Sequence, residues 1–197
     1  MLGRKVFDTG GSSSGSGVSI AANYAPVAVG TETSGSILSP SSASSLVGLK
    51  PTVGLLSRGG IVPISSTLDT PGPMTKSVID NAILLSAMTG EDPKDIATAD
   101  NPKHVEYWQN LSTASLKGMR FGVNKSFLSD SIYLTNIKNL TSLGAITIVY
   151  EPEKIELNGF STLLRGDMKL DLTTYLSEYG SSTLSVKNPA DIVAYNI

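Results

Sequence analysis

Cysteine is absent from these 197 residues. That removes a disulfide framework, a thiolate-ligated metal and a thiol nucleophile together. Histidine is almost as scarce. His104 stands alone in the polar stretch Pro102-Lys103-His104-Val105-Glu106-Tyr107-Trp108. A lone imidazole there reads as a solvated surface group rather than the base of a Ser-His-Asp triad. Charged residues make up only 16% and the formal net charge is −2, so nothing electrostatic calls for nucleic acid or an acidic membrane surface. Long apolar runs are missing too. Ala82–Leu85 is far too short to span a bilayer, and Met1–Thr9 has no signal-peptide core. The expectation is a cytoplasmic protein with no nucleic-acid or membrane partner. Its carboxylate and histidine spacing offers no metal site, and no cofactor is expected.

What is present points to a packed globule. Hydrophobic residues make up 40%, and the chain is long enough to bury a core. Gly10–Gly17 has the composition of a flexible linker, yet Val18, Ile20, Ala21, Ala22 and Tyr24 follow with a helix-compatible apolar face. The run is therefore expected to be a loop opening a helix that Pro26 ends. Val27–Val29 reads as a short strand leading into Gly30-Thr31-Glu32-Thr33-Ser34-Gly35-Ser36, a small-residue turn of the kind that lets backbone N–H groups approach a ligand.

Short strands are expected at Leu46–Leu49 and Gly60–Val62. A helix is expected over 77–89, with Val78, Ala82, Leu85 and Met88 on one side and Gly90 as its cap. A further helix is expected around His104–Asn110. Arg120–Val123, Ser131–Leu143 and Ala145–Val149 read as strand, helix and strand with Gly144 between the last two, an α/β unit. The stretch from Leu157 to Tyr179 reads as mostly helical, and Pro189 opens a last short helix.

With the usual nucleophile–base pairs scarce, two nearby patterns also fail. Gly11-Ser12-Ser13-Ser14-Gly15 matches G-x-S-x-G formally but lacks the preceding apolar strand, and Ser16 stands where a phosphate loop needs lysine. What remains is serine chemistry with a base other than histidine. A buried lysine can activate a serine hydroxyl, a second serine can relay the proton, and the turn Thr33–Ser36 can supply N–H groups to an oxyanion.

Gly10-Gly11-Ser12-Ser13-Ser14-Gly15-Ser16 resembles the glycine/serine motif of the amidase-signature family. Gly30-Thr31-Glu32-Thr33-Ser34-Gly35-Ser36-Ile37 resembles its nucleophile loop, followed by Pro40 and by Gly48-Leu49-Lys50-Pro51-Thr52. Ser66-Thr67-Leu68-Asp69-Thr70-Pro71-Gly72-Pro73-Met74 and the helix from Val78 continue the match in the family's order. The resemblance is strong over about 8–90 and weaker beyond, where Asp171-Leu172-Thr173-Thr174-Tyr175-Leu176 still looks like a family helix.

The resemblance implies an α/β fold with a mixed, mostly parallel twisted sheet covered by helices. It divides the chain into a signature core at 8–90 and a peripheral α/β part at 91–197. It also implies an amidase that hydrolyses a linear carboxamide to acid and ammonia or amine through an acyl-enzyme. Ser36 then matches the nucleophile, and Ser12 matches the bridging serine, which in the family follows a cis peptide. Thr33, Ser34, Gly35 and Ser36 match the oxyanion-hole backbone.

Two departures matter. The family's catalytic lysine lies far upstream of the bridging serine. Lys5 is too close to match it, and Lys50 matches a structural position. The chain is therefore expected to be a part of the family domain lacking that lysine and the C-terminal portion, inactive alone and able to self-associate through uncovered apolar faces. The second departure is Leu38, where many relatives carry arginine. It favours a neutral amide or peptide amide as the small-molecule substrate. A glutamine-amidase subunit of a tRNA-dependent amidotransferase ranks second, and a non-catalytic fragment is the third reading.

Overall fold

The computed structural model describes residues 7–102 and 105–196, so Lys5 and His104 lie outside the described residues. The chain forms two compact units. One holds the residues up to Gln109 together with those from Gly159 onward, and the other is Asn110–Asn158. This division differs from the 8–90 and 91–197 parts read from the sequence.

The first unit opens with α1 (Ser14–Ala21), β1 (Val27–Glu32), α2 (Leu38–Ala43), β2 (Val47–Gly48), β3 (Thr70–Thr75) and α3 (Val78–Met88). α1 begins inside the Gly/Ser run rather than after it. The three strands form one antiparallel sheet in the order β1-β3-β2, with Val27 opposite Thr75 and Glu32 opposite Thr70. Every residue of β3 is buried, and Met74 at its end is fully enclosed with Ile20 and Ile37.

β3 contains Pro71 and Pro73, which carry no N–H for a ladder. Its register explains why it can sit centrally. The prolines lie opposite Thr31 and Val29, and the main-chain groups of those two residues point away from β3, toward hydroxyls on α1 and its cap. The pairs holding Pro71 and Pro73 are therefore the ones that exchange no hydrogen bonds with β1. The outer side of β3 is tied down by Leu49 N–H and Asn81 Nδ2, both donating to Pro73 O at 3.1 Å.

α3 starts at Ser77, whose Oγ accepts from Asp80 N at 3.1 Å, and it buries Asn81 and Leu85 against the sheet. It ends at Thr89, which turns extended while its N–H and hydroxyl both reach Leu85 O. Gly90 does not cap the helix through a left-handed residue as expected, because the chain already turns extended at Thr89 and forms an antiparallel bridge with Leu56 there.

The second unit contains the expected strand–helix–strand: β4 (Arg120–Asn124), α4 (Ser131–Ser142) and β5 (Ile146–Tyr150), the two strands parallel. Asp130 caps α4 by accepting from Tyr133 N at 2.8 Å, and Gly144 closes it with an N–H on Thr141 O. In the first unit α5 (Phe160–Tyr179) and α6 (Pro189–Tyr195) follow, the latter with a reciprocal Asn188/Asp191 cap. The α/β class is as expected. Among the described residues, parallel pairing is confined to β4–β5, and the larger sheet is antiparallel.

Two expected elements are not formed. Gly60–Val62 is a turn and irregular chain rather than a strand. Its neighbourhood is held by side chains instead of a ladder: Arg58 N donates to Asp95, and Ile64 N and Ser65 N donate to Asp69. The described part of 104–110 forms turns rather than a helix. Tyr107 N is taken by Ser86 Oγ at 2.9 Å, and Asn110 adopts a left-handed backbone that stops helical propagation.

Candidate active site

The candidate site is built where β1 ends. Residues 33–37 leave the strand, turn through Gly35 at φ +88° and enter α2. A side chain at that backbone conformation is strained, so glycine is the natural occupant just before Ser36. Glu32, the last residue of β1, is 3% exposed. Its Oε2 accepts from Ile37 N at 2.8 Å and Leu38 N at 3.0 Å, so a buried carboxylate caps the first turn of α2 from below. Ser39 N closes the turn onto Gly35 O at 2.8 Å.

The Gly/Ser run is clamped against this turn. Ser13 N donates to Ser36 O at 3.2 Å. Ser13 Oγ donates to Thr31 O and accepts from Thr31 N, both at 3.1 Å, and Ser16 Oγ donates to Val29 O at 2.8 Å. These hydroxyls occupy the free edge of β1 as a neighbouring strand would. Gly10 packs so closely that a Cβ there would stand 2.7 Å from the Ser39 backbone, and its φ is +66°. The Gly11–Ser12 peptide is cis, the geometry the sequence resemblance implies for the bridging serine.

Ser12 and Ser36 are thus carried on two adjoining loops, Ser12 exposed and Ser36 half-buried. Among the described residues neither hydroxyl has a hydrogen-bond partner. The same is true of four consecutive backbone N–H groups, those of Thr33, Ser34, Gly35 and Ser36. The next two N–H groups are both held by Glu32. Lys50 is turned toward its own neighbour, with Nζ 3.4 Å from Pro51 O, in keeping with a packing role.

A polar framework lies behind the turn. Thr33 Oγ1 donates to Asp69 Oδ1 at 2.5 Å, and Asp69 Oδ2 accepts from Ile64 N and Ser65 N at 2.7 Å each. Arg58 donates to Asp95 from its backbone N, Nε and Nη2, and to Ser66 O from Nη1. The guanidinium is the main cause holding the Asp95 carboxyl down at about 2, against the opposing effect of burial. The Ser65 hydroxyl donates to Asp167 and holds its carboxyl below the usual range. An open cavity of about 220 Å³ lies between this framework and α5, lined by Arg58, Ile61, Asp69, Asp171, Tyr175 and Tyr179 among others. Among the described residues no group of three or more His, Asp or Glu side chains is placed to hold a metal ion.

Sequence reasoning named Ser12, Ser36 and the turn but passed over Glu32, Ser13 and Asp69. A carboxylate immediately before a run of small residues was the available signal for Glu32. Such a turn leaves N–H groups in need of an acceptor.

Comparison with known proteins places the chain. A sequence model of the Amidase family matches residues 4–158. A probable amidase of Arabidopsis thaliana is 42% identical over 94% of this chain and 38% of its own length. The crystal structure of an amidase family protein from Bacillus anthracis superposes with a TM-score of 0.86 at 38% identity, covering 96% of this chain and 39% of that one. A native peptide amidase from Stenotrophomonas maltophilia gives a TM-score of 0.79 at 35% identity, over 96% and 40%. The A subunit of a Clostridium botulinum glutamyl-tRNA(Gln) amidotransferase is 47% identical, but over only 62% of this chain and 25% of its own. The chain belongs to the amidase family. It spans about two fifths of the length of the Arabidopsis relative and of these two structures. In sequence the match to the Arabidopsis amidase runs over more of this chain than the match to the Clostridium subunit, while in structure an amidotransferase A subunit from Thermotoga maritima superposes with a TM-score of 0.71 at 27% identity over 95% of this chain. Among the described residues no helix is long and apolar enough to cross a membrane.

Proposed function

We propose that this chain carries the nucleophile of an amidase that cleaves a linear carboxamide through an acyl-enzyme on Ser36. The observation that carries the reading is the set of four N–H groups at Thr33–Ser36 without a hydrogen-bond partner among the described residues, in the same turn as a half-buried serine. Donors preset around a developing oxyanion, needing no reorganisation during the reaction, are the largest single source of acyl-transfer catalysis.

In the proposed step Ser36 Oγ bonds to the carbonyl carbon while the π electrons move to oxygen. The Ser36 proton passes to Ser12 Oγ, and the Ser12 proton passes to a lysine base that no lysine of this sequence matches. Collapse of the intermediate breaks the C–N bond, and the departing nitrogen takes up the proton. Water then adds to the acyl carbon while giving up a proton to the same relay, the bond from that carbon to Ser36 Oγ breaks, and the proton returns to Ser36 Oγ as the acid leaves. The half-exposed, apolar Leu38 beside the turn favours a neutral amide, and a peptide amide fits both that and the peptide-amidase likeness. These 197 residues by themselves are proposed not to turn over.

The test is hydrolysis by the protein from its complete gene, comparing C-terminal peptide amides with free glutamine. Peptide-amide cleavage lost in Ser36→Ala, and strongly lowered in Ser12→Ala, supports the reading. Preferential ammonia release from glutamine would favour the amidotransferase-type activity, to which the 47% local identity points. Full activity in Ser36→Ala would overturn the assignment.

A further inference from the structure

We infer that Asp69 is a positioning residue for the turn that carries Ser36, and that it acts through the side chain of Thr33. The inference rests on the hydrolase reading above and concerns what holds the four free N–H groups in place. The far end of the turn is held by Glu32 through Ile37 N and Leu38 N. Its near end is held by one side-chain bond, Thr33 Oγ1 to Asp69 Oδ1. Without that bond Thr33 and Ser34 could swing about the end of β1 and carry two of the four donors with them.

Asp69 is suited to serve as a fixed reference. It is 8% exposed, and its second oxygen accepts two backbone N–H groups at 2.7 Å, which set the carboxylate plane independently of Thr33. One of those donors, Ser65, and its neighbour Ser66 are themselves anchored. Ser65 Oγ donates to Asp167 at 2.5 Å, Ser66 N donates to Asp171 at 2.6 Å, and Arg58 holds Ser66 O. Asp167 and Asp171 lie four residues apart on α5, on one face of the helix. The turn is therefore referenced to a 20-residue helix through three successive hydrogen bonds, Thr33 to Asp69, Ser65 to Asp69 and Ser65 to Asp167. An anchor of this kind places donors where charge develops, so it contributes to the chemical step more than to substrate binding.

The test compares Thr33→Val, which keeps the shape and removes the donor, with Thr33→Ser, which keeps the donor. Both are made in the protein from its complete gene. Acylation by a fluorophosphonate and steady-state amide hydrolysis are measured well below each variant's melting temperature. Thr33→Val is expected to lower acylation and kcat about 10- to 100-fold with KM changed less than about threefold, since small misplacements of reacting groups cost about that much. Thr33→Ser is expected to recover to within about threefold of the parent. If Thr33→Val does not fold, Thr33→Ala is read the same way. Parent-like acylation in the folded valine or alanine variant overturns the anchor while leaving the hydrolase reading intact. Absence of labelling in the unmutated protein overturns both.

Discussion

Glu32 offers the most informative single perturbation. Its carboxylate is buried and accepts two backbone N–H groups at the entry to α2. A hydrogen bond to a charged group contributes about 1.5–3 kcal/mol, and a carboxylate at a helix start adds about 0.3–1 kcal/mol. Glu32→Ala removes both bonds and leaves two donors without a partner. The expected cost is about 3–5 kcal/mol, out of the roughly 5–15 kcal/mol by which a domain is stable. Glu32→Gln keeps a carbonyl able to accept both N–H groups and loses only the charge assistance, so about 1–2 kcal/mol is expected. Urea unfolding followed by circular dichroism gives both values, provided the slope m is unchanged. An alanine variant within about 0.5 kcal/mol of the parent would refute the claim that Glu32 holds the turn, because that is the range of an uninvolved surface position.

Other predictions concern the framework. The Asp95 carboxyl is held down at about 2, so its contribution is present above about pH 4 and is lost as pH falls toward 2. That contribution is about 2 kcal/mol. Arg58→Ala should destabilise by about 3–5 kcal/mol at pH 6 and by visibly less at pH 3; parallel stability–pH profiles for parent and variant would contradict this. Ser41 Oγ is buried with no hydrogen-bond partner among the described residues. Ser41→Ala should therefore be neutral or stabilising by up to about 1 kcal/mol in the same assay, and a clear loss would point to a partner for that hydroxyl.

Legibility in the sequence followed the range of the interactions involved. α4 and its flanking strands were readable because Gly144 and the alternation of apolar segments act locally. The candidates Ser12, Ser36 and Thr33–Ser36 could be singled out because several short motifs stand in the order of the family's motifs. β3 was not readable as a strand. Its Thr-Pro-Gly-Pro-Met-Thr sequence argues against a central position, and only the register with β1 shows that the prolines give up no ladder bond. The expected strand at Gly60–Val62 failed for the converse reason. Its apolar character was local, while the backbone on either side of it is fixed by side chains, Asp69 a few residues on and Asp95 37 residues beyond Arg58. Asp69 itself was visible only as a letter in a motif. Its bond to Thr33 spans 36 residues, and no local pattern reports it.

The central claim is that Ser36 is a nucleophile surrounded by preset donors. Intact-mass and peptide-level mass spectrometry after fluorophosphonate treatment of the protein from its complete gene tests it most directly. The account predicts a single adduct located on Ser36, absent in Ser36→Ala. An adduct on another residue that survives Ser36→Ala, or no adduct in a folded and amide-cleaving protein, would contradict it.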